Sequence, residues 1–137
     1  MQSGISIKDS RCAIPDILVT DDSAVDQRIL LLMLDKLGCR ADTAVNGIEA
    51  LHALEQRPYD VILMDIEMPE MGGLEASRAI RHSWPAEDQP CIIAVTALAI
   101  NDPRERFIEA GMDEYLRKPV NFNDLKNALL LCGYLAE

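Results

Sequence analysis

No apolar run in this chain of 137 residues comes near the ~20 residues that a membrane-spanning helix requires, and the strongest, such as Ile29 to Leu34, reach only a fraction of it. Met1 to Pro15 also lacks the apolar centre of a secretory signal, so a cytoplasmic location is expected. Basic charge is scarce: 13 Lys and Arg stand against 23 Asp and Glu, a formal net charge of −10. Such a field opposes phosphate backbones and anionic lipid, and neither nucleic acid nor a membrane is expected as a direct partner. The cysteines Cys12, Cys39, Cys91 and Cys132 form no C-x-x-C pair and no Cys/His cluster, which excludes a zinc site. Spaced so widely, they read as small buried side chains or surface thiols and not as a disulfide framework. The chain is also too short for an eight-unit α/β barrel of ~250 residues.

What is present suffices for one folded domain. Hydrophobic residues make up 49% against 26% charged, enough to bury a core. Residues 1–14 mix small and charged side chains without a period and are expected to be a flexible leader, residues 15–133 the domain, and 134–137 a tail.

Within the domain, short apolar runs alternate with helical patterns. Strands are predicted at Asp16 to Thr20, Arg40 to Ala44, Asp60 to Met64, Cys91 to Val95 and Asp113 to Arg117. Helices are predicted at Ala24 to Leu37 before Gly38, at Ile48 to Gln56 before Pro58, and from Leu74 to His82. A fourth starts at Asp102-Pro103 and ends before Gly111, and a fifth runs from an Asn121/Asp124 capping box through Leu131. Pro85 and Pro90 bracket a loop. Five strand-then-helix units with short connections call for a doubly wound α/β fold, because parallel strands need right-handed helical crossovers. In such open sheets ligands bind at the carboxyl ends of the strands.

Those ends carry Asp21 and Asp22 after the first strand, Asp65 at the end of the third, Thr96 at the fourth and Lys118 at the fifth. Three carboxylates sharing one pocket repel one another, and at least one has its pKa raised unless a cation intervenes. Mg²⁺ takes oxygen ligands of this kind and keeps waters that a phosphate oxygen can replace. Lys118 offers a positive charge and Thr96 a hydroxyl, both suited to phosphoryl oxygens. Each residue alone has a plainer reading, as helix cap, strand-end hydroxyl or solvated charge; their joint placement points to phosphoryl transfer onto a carboxylate.

The stretch Val61-Ile-Leu-Met-Asp65-Ile-Glu-Met-Pro69-Glu-Met-Gly-Gly73, with Asp21-Asp22 before it and Thr96-Ala97 and Lys118-Pro119 after it, closely resembles the receiver domain of two-component response regulators. The resemblance covers about residues 15 to 133, and is nearest to receivers of hybrid histidine kinases and phosphorelays. It implies a flavodoxin-like (βα)5 sheet in the order 2-1-3-4-5. It implies that Asp65 is the phosphoacceptor, charged from a histidine kinase or a histidine phosphotransfer domain. Mg²⁺, or Mn²⁺ in its place, would be held by Asp21, Asp22, Asp65 and the backbone carbonyl of Glu67. Thr96 and Lys118 would bind phosphoryl oxygens, small Ala97 would leave the approach open, and the Lys118-Pro119 bond would be cis. Thr96 and Tyr115 would form the switch pair, and the Glu67 side chain would influence the lifetime of the acyl phosphate.

The first helix carries one further sign. Ile29, Leu30, Met33, Leu34 and Leu37 make its core face, and Leu31 and Leu32, lying off that face, are expected to dock the histidine-bearing partner. His52 and His82 fall on helices away from the strand ends, and Trp84 is expected to pack at a helix end. Three other readings compete. An aspartate-nucleophile phosphatase needs a second acid and a substrate cap that the sequence does not supply. A flavodoxin-like flavin carrier needs hydroxyl and glycine donors where Asp21-Asp22 stand. A receiver-shaped interaction module that no longer accepts phosphate would not be expected to keep all five chemical residues. The domain has no room for an output domain, so output is expected through a partner, through onward transfer to a histidine, or through a longer parent protein.

Overall fold

A computed structural model describes residues 14–97 and 104–134. The strands are β1 (Ile17–Thr20), β2 (Ala41–Ala44), β3 (Val61–Asp65), β4 (Cys91–Thr96) and β5 (Glu114–Arg117), and the helices are α1 (Ala24–Lys36), α2 (Gly47–Gln56), α3 (Gly73–Ser83), α4 (Arg104–Glu109) and α5 (Phe122–Leu131). They alternate along the chain, and the strands pair in parallel in the order β2-β1-β3-β4-β5. The central strands β1 and β3 are buried along their whole length, which is why they read as unbroken apolar runs rather than alternating ones. The loop between Pro85 and Pro90 holds a single 3-10 turn, Ala86–Asp88. The expected leader up to residue 13, the Asp102-Pro103 helix start and the tail beyond residue 134 lie outside the described residues.

Each face of the sheet has its own core. Leu18, Ile62, Met64, Ile92 and Ala94 point toward α2, α3 and α4, meeting Leu54, Ile80 and Phe107; Ile17, Val19, Leu63, Ile93 and Val95 point toward α1 and α5, meeting Leu34, Leu125 and Leu129. This is the period of two expected of strands covered on both sides. Side-chain caps start several helices: Ser23 accepts from the Asp26 N–H, Asn46 from Glu49, and Asn121 from both Asn123 and Asp124. Trp84 closes α3 and packs against the first of the two cores.

Glycines set how closely α3 approaches the end of β3. A Cβ at Gly73 would stand 2.2 Å from the Asp65 carbonyl oxygen, and one at Gly72 would stand 2.8 Å from that of Ile66. The Gly73 N–H donates to the Ile66 carbonyl at 2.9 Å.

Two expectations need correction. Cys91 and Cys132 form a disulfide, their Cα atoms 6.1 Å apart, although 41 residues separate them in sequence. The fold brings the start of β4 against the end of α5, a proximity that sequence spacing does not display; Cys39 is a buried thiol, as expected. On α1, Ile29 is 41% exposed rather than in the core, whereas Leu31 packs against the core. The outward stripe is Val25, Ile29 and Leu32, at helical spacing, with Leu32 57% exposed.

Candidate functional site

The parallel register brings the carboxyl ends of the strands level, with Thr20 beside Met64, Asp65 beside Val95, and Thr96 beside Arg117. Asp21 leaves β1 fully buried and tightly placed. Its N–H donates to the Ala44 carbonyl at 3.0 Å, its Oδ1 accepts from the Ser23 N–H at 2.9 Å, and its carbonyl accepts from Gln27 Nε2 at 2.7 Å. Asp22, the next residue, is exposed. Asp65 closes β3, 5% exposed, and the Glu67 backbone N–H donates to its carboxylate.

Thr96 is buried at the end of β4, with Ala97 exposed just beyond it. Lys118 follows β5; its N–H donates to the Thr96 carbonyl at 2.8 Å, and its bond to Pro119 is cis. The Lys118 ammonium reaches Asp26 Oδ2 at 2.9 Å, Asp21 Oδ2 at 3.0 Å and Asp65 Oδ2 at 3.6 Å. All five residues picked from the strand ends therefore sit at one end of the sheet, and Lys118 links β1, β3 and α1.

The electrostatics follow from the geometry. Burial foremost, then the neighbouring Asp21 and more weakly Asp22, push the Asp65 carboxyl up to about 6, against the opposing pull of Lys118 and the Glu67 N–H. Burial also disfavours the Lys118 charge, but the carboxylates of Asp26, Asp21 and Asp65 outweigh it and hold its pKa above that of an ordinary lysine.

The acids suit a divalent cation. One carboxylate oxygen from each of Asp21, Asp22 and Asp65 lies within 4.8 Å of the others. Asp21 Oδ2 is buried and has the Lys118 ammonium, 3.0 Å away, as its positive partner, so one lysine faces three clustered acids and leaves negative charge that a divalent cation would balance. Hard oxygen donors in this number match Mg²⁺ better than a soft metal.

Other expected residues lie further out. The Glu67 side chain is exposed in the loop after β3. Tyr115 on β5 is 46% exposed, its ring 5.9 Å from that of Phe107 on α4. His52 and His82 lie on α2 and α3, as expected. Two residues of the site were not anticipated: Asp26, bonded to Lys118, and Gln27, whose Nε2 also donates to the Ala44 carbonyl at 3.1 Å and so ties α1 to the ends of β1 and β2. Both lie about one turn after Asp22 on the helix leaving the strand ends, a position that does not by itself separate a helix-start polar residue from a partner of the site.

Residues 17–130 match the family described as the response regulator receiver domain. Among curated proteins, the chain is 37% identical to the probable histidine kinase 1 of Oryza sativa subsp. indica over 82% of its own length and 15% of that protein's. It is 36% identical to the aerobic respiration control sensor protein ArcB of Escherichia coli K12, over 77% of its own length and 14% of ArcB's. The chain thus spans only a small part of these relatives. Among solved structures, the receiver domain of the sensor histidine kinase PA1611 from Pseudomonas aeruginosa, which has a magnesium ion coordinated in its active site cleft, is 36% identical with a TM-score of 0.78, covering 88% of this chain and 98% of that one. The match to the co-crystal structure of the Saccharomyces cerevisiae phosphotransfer protein Ypd1 with the receiver domain of Ssk1 has a TM-score of 0.78 at 26% identity, over 88% of this chain and 91% of that one.

Proposed function

Starting from a chain that belongs to the response regulator receiver domain family, we propose that it is a phosphoacceptor switch of a two-component system or phosphorelay, with Asp65 taking a phosphoryl group from a phosphohistidine. One observation carries this reading: the buried Asp65 carboxylate at the end of the middle strand is flanked by Asp21 and Asp22 and faced by Lys118, all at the strand ends. The Asp65 carboxylate attacks phosphorus, an O–P bond forms as the N–P bond to the histidine breaks, and the imidazole nitrogen recovers a proton. Lys118 and the Thr96 hydroxyl receive the peripheral phosphoryl oxygens, and small Ala97 leaves the approach open.

Asp21, Asp22, Asp65 and the Glu67 carbonyl would hold Mg²⁺, or Mn²⁺ in its stead. When bound, the cation neutralises the clustered acids and the charge that develops on the phosphoryl oxygens. The magnesium in the cleft of the PA1611 receiver supports this reading. Thr96 and Tyr115 form the switch pair: new charge on Asp65 draws the Thr96 hydroxyl inward, and the aromatic ring beside α4 follows. The exposed Glu67 side chain tunes how long the acyl phosphate lasts. Turnover of a separate substrate is not part of the function, and the setting is cytoplasmic; among the described residues no helix is long and apolar enough to cross a membrane.

The partner is a histidine kinase or a histidine phosphotransfer domain, as the pairing of Ypd1 with the Ssk1 receiver suggests for this family. It docks on α1, where Leu32 lies on the outward stripe with Val25 and Ile29, while Leu31 serves that surface from beneath. Incubation with a phosphohistidine-bearing phosphotransfer domain and Mg²⁺ tests the reading. Label should leave the histidine and appear on this chain, and should not do so with EDTA or with Asp65→Asn. Transfer to Asp65→Asn at the wild-type rate would refute it.

A further inference from the structure

Lys118 is a shared residue. Of its three carboxylate neighbours, Asp26 receives a directed hydrogen bond from Nζ at 2.9 Å, Asp21 Oδ2 forms an ion pair with it at 3.0 Å, and Asp65 Oδ2 at 3.6 Å is beyond the ~3.2 Å reach of a good N–H···O bond. Asp26 belongs to the first turn of α1, where its own N–H is held by the Ser23 cap, so its carboxylate has a fixed base. The Lys118 backbone is equally fixed, through its N–H bond to Thr96. What can move is the lysine side chain between two anchored ends.

We infer that Asp26 is a positioning residue: it holds the Lys118 ammonium away from Asp65 in the unphosphorylated protein, and Lys118 must exchange Asp26 for a phosphoryl oxygen when Asp65 is charged. The inference rests on the phosphoacceptor reading of the same site. An ammonium has three donors but one location, and a phosphoryl group on Asp65 is a stronger acceptor than a carboxylate that is 36% exposed. The exchange leaves Asp26 without its partner on the same turn of α1 that carries Val25 and Ile29 of the outward stripe. Phosphorylation thereby changes the charge pairing of the helix on which the partner is proposed to dock.

The test uses the full chain with Mg²⁺ and beryllofluoride, a phosphoryl mimic. Asp26→Asn is expected to bind the mimic about two- to fivefold more tightly than wild type, the scale of one partly exposed ion pair. In a Lys118→Ala background the same substitution should change nothing. Unchanged affinity when Lys118 is present, or a gain that persists without Lys118, would overturn the inference, the second outcome because it reflects only the general field of the carboxylate. Where Lys118→Ala binds too weakly to measure, the nitrogen resonance of the Lys118 ammonium decides. Asp26→Asn should shift it in the free protein and leave it in place in the mimic-bound protein; a shift in both states or in neither overturns the inference. If Asp65→Asn binds the mimic as wild type does, the phosphoacceptor reading itself fails and this inference falls with it.

Discussion

A carboxyl raised to about 6 by burial and by the neighbouring Asp21 binds its proton more tightly in the folded chain than in the unfolded one, where it titrates near 3.8. In the metal-free protein the contribution of Asp65 to stability is therefore fully present below pH ~4 and is lost as pH rises through ~6. Asp65→Asn should then be more stable than wild type by about 1–2 kcal/mol at pH 7 in EDTA and little different at pH 4, as read by urea denaturation. Equal effects at both pH values would contradict the electrostatic account. Gly73 presents a steric test at the same strand end. Its missing Cβ leaves room for the Asp65 carbonyl, so Gly73→Ala should cost about 2–3 kcal/mol and slow phosphorylation together. A variant as stable as wild type would mean that α3 can back away from β3 freely.

At the scale of elements, α1 separates the two roles of its leucines. Leu32→Ser should leave stability near wild type and slow transfer from a phosphohistidine partner about five- to tenfold, with no effect on labelling by a small phosphodonor. Leu31→Ser should lower stability by about 1–2 kcal/mol because that side chain packs on the core. Equal loss with both donors for Leu32→Ser would refute docking at this stripe.

The same helix shows how far the sequence could be read. Among the described residues, all five strands and the bounds of α1, α2, α3 and α5 were legible within a residue or two, because β1, β3 and β4 are apolar runs of strand length bounded by acids, prolines or glycines. The five strand-end residues followed from those boundaries. The facing of α1 did not, because a helix with apolar residues at Ile29, Leu30, Leu31, Leu32, Met33 and Leu34 presents an apolar stripe in several rotations. Only contact with the sheet selects Leu30 and Leu34 for the core. Asp26 stayed hidden for a different reason: its partner Lys118 lies 92 residues away, and a helix-start acid looks the same whether it caps or pairs.

Across the whole molecule, the Cys91–Cys132 disulfide closes the segment that contains β4, α4, β5 and α5, and with them Thr96, Tyr115 and Lys118. A crosslink over 41 residues restricts the unfolded chain by about 3–4 kcal/mol in the loop-entropy picture. Reduction with dithiothreitol should lower the denaturation midpoint accordingly, and Cys132→Ser should match reduced wild type. The two sheet faces divide the labour of the fold. One buries α1 and α5 against the sheet; the other buries α2, α3 and α4. The acidic cluster sits between them, at the one edge where every strand ends.

The account turns on Asp65 accepting phosphorus, and mass spectrometry after incubation with acetyl phosphate and Mg²⁺ reads that event directly. The expected result is one phosphoryl group per chain, labile to hydroxylamine, mapping to Asp65, and missing from Asp65→Asn and from EDTA-treated protein. A phosphoryl group that survives hydroxylamine, maps to another residue, or forms equally on Asp65→Asn would contradict it.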